Sequence, residues 1–347
     1  MEQYSADLLA SGSADESKAL TLSRSRAHLL WWIPWTWCRA LGLLSSRRYN
    51  LLHVTDALLV PFFVPLARLT RTPLVATAHA LDVVWPVPLY QVCLRASLPH
   101  CAQVVAVSQS TARECELRGV RPEKVTVIPN GIHPVPALDR AAARKLLCEK
   151  FSLMPGQFFL LSVGRLIPRK NLRWFVGAVM AKLPDRVVLL VLGDGAEREA
   201  IQGEVRRLGL EARVRLAGRV PADLRDAAYA GSDLFIMPNR PVEGDAEGFG
   251  IVNIEAASRG LPVIAAQLEG ITEAVIDQAN GCVVPAGDAE AFLKTIGYYL
   301  DHEAERQAFS QRAREYTNEH FDWAILARRY RAVYERVLNV KEEGAVE

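Results

Sequence analysis

Residues 233–265 read DLFIMPNRPVEGDAEGFGIVNIEAASRGLPVIA, and this stretch decides the fold. An apolar run, 233–237, stops at Pro238, and a polar loop follows. From Phe249 the residues suit a helix, which Gly260 stops, and a second apolar run covers 262–265. Strand, loop, helix and strand make a βαβ unit, so the two strands are parallel. The loop leaves from the carboxyl end of its strand, the edge at which open α/β sheets bind ligands. Gly248 and Gly250 let the backbone approach a ligand closely. The free amides and positive dipole end of the helix favour a phosphate there.

Runs of the same kind lie on both sides. In the first half they cover 51–55, 73–78, 103–107 and 125–128. In the second half they cover 158–163, 187–192, 213–216, 233–237, 262–265 and 282–284. They are rich in Val, Ile and Leu and do not alternate strictly with polar residues, as expected of parallel strands covered on both faces. Helix-length segments such as 138–151, 170–182, 196–209, 249–259 and 288–301 separate them. The fold class predicted is α/β, doubly wound. The series restarts after PNGIHPVPA, 129–137, whose three prolines and Asn-Gly pair mark a linker. This gives an N-terminal domain at 1–133, a C-terminal domain at 134–320, and a C-terminal helix and tail at 321–347. That last helix is amphipathic, with apolar residues at 323, 326, 330, 333 and 337.

Composition narrows the class. A chain of 347 residues, half hydrophobic and 23% charged, has room for two globular domains. A net charge of +2 gives no argument for nucleic acid. Six cysteines without a CxxC pair argue against a zinc site or a disulfide framework and for a reducing, cytoplasmic compartment. The polar N-terminus lacks the basic start of a signal peptide. Residues 28–44, HLLWWIPWTWCRALGLL, hold four tryptophans and Arg39. The run is shorter than the roughly 20 apolar residues of a spanning helix and contains Pro34. It reads as a buried helix and loop, with peripheral contact at the inner face of a membrane as the alternative.

Several residues suit phosphate and sugar chemistry. Arg165 and Lys170 follow a strand-end glycine in LSVGRLIPRKN, 161–171. Arginine binds two phosphate oxygens as a fork, and lysine acts as a point charge. Glu247 and Glu255 flank the start of the helix in the deciding stretch. A helix glutamate is more often solvated or salt-bridged, but this helix is apolar nearly all round. A carboxylate buried there needs partners, and sugar hydroxyls supply them. VLGDGAE, 191–197, is a Gly-rich turn without full GxGxxG spacing and is weak alone. LAGRVP, 216–221, offers a strand end whose backbone can face a base.

Taken together, these segments resemble the retaining glycosyltransferases of family four. EGFGIVNIEAASRGLPVIAA, 247–266, is similar to that family's E-x7-E signature, and SVGRLIPRKN, 162–171, to its phosphate segment. VAVSQSTARECELRGVRPEKVTVIPNGI, 105–132, resembles the segment that closes the first domain. LVLGDGAE, 190–197, and VRLAGRVP, 214–221, resemble strands of the donor domain. The resemblance covers roughly residues 50–335 and implies a GT-B fold, two Rossmann-like domains facing across a cleft. It implies transfer of a sugar from a nucleotide-diphosphate sugar to a glycan or lipid-linked acceptor, with no metal and no other cofactor. Arg165 and Lys170 would hold the pyrophosphate and stabilise the charge that grows as the sugar leaves. Glu247 would bind donor-sugar hydroxyls, and Glu255 the ribose. Amides of Gly248, Phe249 and Gly250 would face phosphates and sugar, and the backbone from Gly218 to Val220 would line the base. His79, in ATAHALD, matches a histidine placed near the reacting carbon, with Asp82 a weaker candidate.

The sequence departs from the family pattern in three places. The first strand and its Gly-rich acceptor loop are not found, so the first domain is expected to be shortened and loose. His133 stands where an aspartate is usual, and Leu268, Glu269 and Gly270 stand where a glycine pair is usual. Rival readings are a nucleotide-sugar epimerase of the same fold, an inactive nucleotide-sugar-binding module, and a dinucleotide dehydrogenase, which the incomplete GxGxxG disfavours.

Overall fold

The computed structural model describes residues 2–20, 29–268 and 270–343, so Glu269 lies outside the described residues. The chain forms two compact units. Unit 1 takes in the chain up to Gly131, the short stretch Gly244–Phe249, and the chain from Trp323 onward. Unit 2 comprises Ile132–Glu243 and Gly250–Asp322.

Unit 1 is built on four parallel strands, β1 (Leu52–Val54), β2 (Leu74–Ala78), β3 (Gln103–Ala106) and β4 (Val125–Val127), in the order β1-β2-β3-β4. Right-handed crossovers that always step the same way put their helices on one face of a sheet. Leu74, Ala76, Ala78 and Val104 pack there against Val60, Phe63, Leu66, Leu94 and Leu98. Strand side chains alternate, so Val75 and Val105 point to the opposite face. Among the described residues no crossover helix enters the cluster on that face. It is covered by helix Glu2–Ala10, through Tyr4 and Leu8, and by helix Trp323–Glu343, through Trp323, Leu326, Tyr330, Val333 and Val337. The C-terminal amphipathic stripe therefore closes the N-terminal sheet.

Helix Leu29–Ser45 precedes β1. It corrects the expectation of a helix and loop over 28–44, because the helix continues through Pro34. At this sixth position the ring removes a single bond, that from residue 34 to the carbonyl of residue 30, and the helix runs on. Thr36, Ala40 and Leu44 are buried at four-residue intervals, whereas Trp35 is 56% exposed. Among the described residues no helix is long and apolar enough to cross a membrane.

Unit 2 holds six parallel strands: β5 (Phe158–Val163), β6 (Val187–Leu192), β7 (Val214–Gly218), β8 (Leu234–Met237), β9 (Val263–Gln267) and β10 (Gly281–Pro285). Their order is β10-β9-β8-β5-β6-β7. Both faces are covered, as the runs predict. Phe158, Leu160, Leu189 and Val191 enter one core, and Phe159, Leu161, Val188 and Leu190 the other. Buried Asp233 ties the amino-terminal edge together. It accepts from the Phe159 amide at 2.7 Å, Arg144 at 2.9 Å and Arg140 at 2.7 Å.

The strand order reverses between β5 and β8. At such a switch point the loops leaving two adjacent strands diverge to opposite faces and open a crevice at the carboxyl edge. The loops concerned run from Gly164 after β5 and from Pro238 after β8, and both carry the candidate residues.

Candidate active site

In unit 2, β5 runs into Gly164, whose φ of +150° suits glycine. Arg165 follows on the surface, and its guanidinium has no hydrogen bond or ion pair among the described residues. A 3-10 turn, Pro168–Lys170, then returns the chain to Asn171 in the left-handed region and on to helix Leu172–Ala178. Lys170 folds back over the loop start, its Cε 3.6 Å from where a Cβ on Gly164 would lie. The β8 loop is stitched to this turn, with the Arg240 amide on the Arg169 carbonyl at 3.0 Å and Arg240 Nε on the Pro168 carbonyl at 3.2 Å.

The turn at 191–197 owes its glycines to packing. A Cβ on Gly193 would lie 1.8 Å from the Gly164 carbonyl oxygen, and one on Gly195 2.3 Å from that of Leu166. These glycines let the β6 loop press against the loop that carries Arg165 and Lys170. Gly218, at φ +72°, ends β7 beside it, and its carbonyl accepts from the Gly193 amide at 2.7 Å. Val220 is half-buried just beyond.

Helix Ile251–Ser258 begins at Gly250, which adopts φ +77°, so no side chain caps its free amides. Asn253, in its first turn, is fully buried, and neither its Oδ1 nor its Nδ2 has a hydrogen bond. A buried amide left unpaired is costly and marks a place for a water or ligand group. Sequence alone gave no sign of it, because burial is not visible in the letters. Glu255 already has a protein partner, since the Tyr229 hydroxyl donates to its Oε2 at 2.9 Å. Burial, and then the Glu255 charge, push the Tyr229 phenol well above its ordinary pKa, so it stays a donor. Glu255 Oε1 has no hydrogen bond among the described residues.

The remaining candidates, His79, Glu247, Gly248 and Phe249, belong to unit 1. Gly248 packs directly on the end of β2, where a Cβ would lie 2.4 Å from the His79 carbonyl oxygen. Phe249 is buried and Glu247 half-buried. His79 is held at both ends. Its amide donates to Asp82 Oδ1 at 2.7 Å, and its Nε2 lies 3.1 Å from the Thr55 carbonyl oxygen. Burial drives its pKa down to about 4, so the ring is neutral at ordinary pH. Asp82, the weaker candidate, is buried beside it.

Two parallel-sheet α/β units, the second with cations and a free helix start at its switch point, define the GT-B class. Residues 146–316 match the family model described as Glycosyl transferases group 1, and residues 7–135 match that of Glycosyltransferase Family 4. The chain belongs to these glycosyltransferases and is a glycosyltransferase enzyme. It is 27% identical over 266 residues to the GDP-mannose-dependent alpha-(1-6)-phosphatidylinositol monomannoside mannosyltransferase of Mycolicibacterium smegmatis, covering 75% of this chain and 69% of that protein. Among solved structures it is similar to sucrose-phosphate synthase from Thermosynechococcus elongatus, with TM-score 0.76 and 24% identity over 97% of this chain and 92% of that one. It is also similar to Anabaena HepE in complex with UDP, with TM-score 0.75 and 22% identity over 88% and 82% of the two chains. At those identities the two structures speak for the fold alone.

Proposed function

We propose that the enzyme is a retaining, metal-independent glycosyltransferase acting from a nucleoside-diphosphate sugar on a glycan or lipid-linked acceptor. The observation that carries this reading is the switch point of unit 2, where the unpaired Arg165, Lys170 and the uncapped helix at Gly250 share one carboxyl edge. Arg165 and Lys170 hold the diphosphate and stabilise it as it leaves. Amides of Gly248, Phe249 and Gly250 assist them, Glu255 takes the ribose, and the backbone from Gly218 to Val220 lines the base. In unit 1, Glu247 and His79 handle the sugar. Two cations and a helix dipole supply the charge that a divalent ion gives other transferases. UDP in the HepE complex and the lipid substrate in the mycobacterial relative's name support a nucleotide donor and a glycolipid acceptor. We place the enzyme in the cytoplasm, against the membrane face, through the exposed side of helix Leu29–Ser45.

A thermal-shift series tests the donor half. Nucleoside diphosphates and their sugars should raise the melting temperature, nucleosides much less, and EDTA should change nothing. A ligand at 100 times its dissociation constant adds about 2.7 kcal/mol. Loss of the shift and of transfer in EDTA, restored by manganese, defeats the metal-free mechanism. Donor hydrolysed or epimerised with no acceptor product points to the epimerase instead.

A further inference from the structure

The ends of β1 and β2 hold a buried polar cluster of which the transfer reading uses only His79. Asp82 joins the two strand ends. Its Oδ1 accepts from the His79 amide at 2.7 Å and its Oδ2 from the Ala57 amide at 2.9 Å. Between His79 and Asp82 the chain makes a γ-turn. Ala80 adopts φ +74° and ψ −68°, and the Leu81 amide lies 3.2 Å from the His79 carbonyl. A residue with a side chain avoids that conformation, so its neighbours must enforce it. The Asp82 carboxylate does so from inside, helped by the Tyr90 hydroxyl on the Asp82 carbonyl.

The ring of His79 is fixed as well. A carbonyl oxygen only accepts, so the contact with Thr55 assigns the proton to Nε2 and leaves the lone pair on Nδ1. The Tyr4 ring stands edge-on to the imidazole at 4.7 Å. The other titratable groups around the cluster are His53 on β1, Asp56 beside Asp82, the Tyr330 and Tyr90 hydroxyls, Cys115 and Arg118. Burial and the Asp82 charge raise Asp56 to about 7, and burial raises Asp82 to about 6 against the pull of its two amides. Side by side, between about pH 6 and 7, the two carboxyls hold one proton, with Asp56 the more readily protonated of the pair.

We propose that Asp82 is a positioning residue of this glycosyltransferase, clamping the ends of β1 and β2 so that His79 offers the Nδ1 lone pair to a hydroxyl of the donor sugar. The proposal rests on the reading of His79 as a residue beside the reacting sugar. A lone pair there accepts from a hydroxyl, whereas the other tautomer would compete with it as a donor.

Nitrogen-15 NMR of the histidines in the full-length wild type at pH 7 tests the geometry without any ligand. His79 should show a protonated Nε2 and a bare Nδ1, and a protonated Nδ1 overturns the proposal. Asp82→Asn turns an N–H2 toward one of the two amides and breaks that bond. Its His79 signals should mix tautomers, and its kcat with UDP-glucose or GDP-mannose should fall about 100-fold. UDP affinity and donor KM should change less than about threefold, since the diphosphate contacts are untouched. If Asp82→Asn does not fold, Ala80→Gly/Asp82→Asn relaxes the strained turn and should fold, yet remain slow. Wild-type kcat in either variant means the clamp serves stability alone and overturns the proposal. Asp56→Asn should keep both the tautomer and the turnover at pH 7, and lost turnover there counts against the clamp. A wild type inert toward every nucleotide sugar defeats the transferase reading, and the tautomer still decides the geometry.

Discussion

Arg165 is the residue on which the phosphate reading leans most. Its guanidinium is exposed and uncommitted, while Lys170 lies folded against the glycine that starts the same loop. A lost charge-assisted hydrogen bond costs about 1.5–3 kcal/mol. Arg165→Ala and Lys170→Ala should therefore each weaken a nucleoside diphosphate by about tenfold to 100-fold, and the matching nucleoside by less than threefold. Titration calorimetry checks this, and equal losses for both ligands would refute the clamp. The two glutamates should part company. Glu255→Gln should weaken free nucleotide by about tenfold, because Oε1 and the ribose lose a charged contact. Glu247→Gln should leave free nucleotide bound and slow transfer. Identical profiles for the two variants would overturn their assigned roles. Both glutamates and both cations were singled out in the sequence by their spacing and neighbours, and His79, with Asp82 behind it, only by the family resemblance. Asn253 was not, because it matters through burial, and the tie from Asp82 to the Ala57 amide, 25 residues away, was not visible in the letters.

At the scale of elements, all ten strands were legible as short Val-, Ile- and Leu-rich runs, since burial on both faces leaves no polar alternation to obscure them. Helix Glu2–Ala10 was not, because Tyr4 and Leu8, its core contacts among the described residues, lie in a polar stretch. The amphipathic stripe of the last helix was legible, but its destination was not, because a stripe states what must be buried and not where. It lies on the face of the unit 1 sheet that carries Val75 and Val105. Tyr330, fully buried there, should cost about 3–5 kcal/mol when replaced by alanine. Hydrogen exchange should then show amides of β2 and β3 losing protection while those of β5 and β6 keep theirs. Equal loss in both sheets would mean that the helix serves the whole chain. Wild-type protection across 51–128 also tests the expectation of a loose first domain.

For the whole molecule the acid response should be uneven. In unit 1 burial lowers His53 to about 3 and His79 to about 4. Both take a proton near 6.5 when unfolded, so falling pH draws the chain toward the unfolded state from about 6.5 downward. Asp56 and Asp82 act oppositely. Burial raises them to about 7 and about 6 from 3.8, so they keep protons in the fold that the unfolded chain has lost, and falling pH favours folding until about 4. The two effects nearly cancel between about 4 and 6.5, and below 4 both fade, that of His53 last. Protection factors in unit 1 should thus stay nearly flat from pH 6.5 to 3. In Asp56→Asn the decline should begin near 6.5. Undiminished protection at pH 3 in that variant would show that the histidines are not neutral in the fold.

The position of the last helix also bears on how the protein is made. A ribosome delivers β1 to β4 first, yet the helix that covers Val75 and Val105 emerges only after residues 132–322. At roughly 5–20 residues per second, about ten to forty seconds pass in between. During that interval the second unit can complete its own sheet, while the first has helix Glu2–Ala10 alone over an apolar face that is otherwise open to the cell. A nascent chain stalled well beyond Asp322 would therefore present a finished second unit joined to a chaperone client.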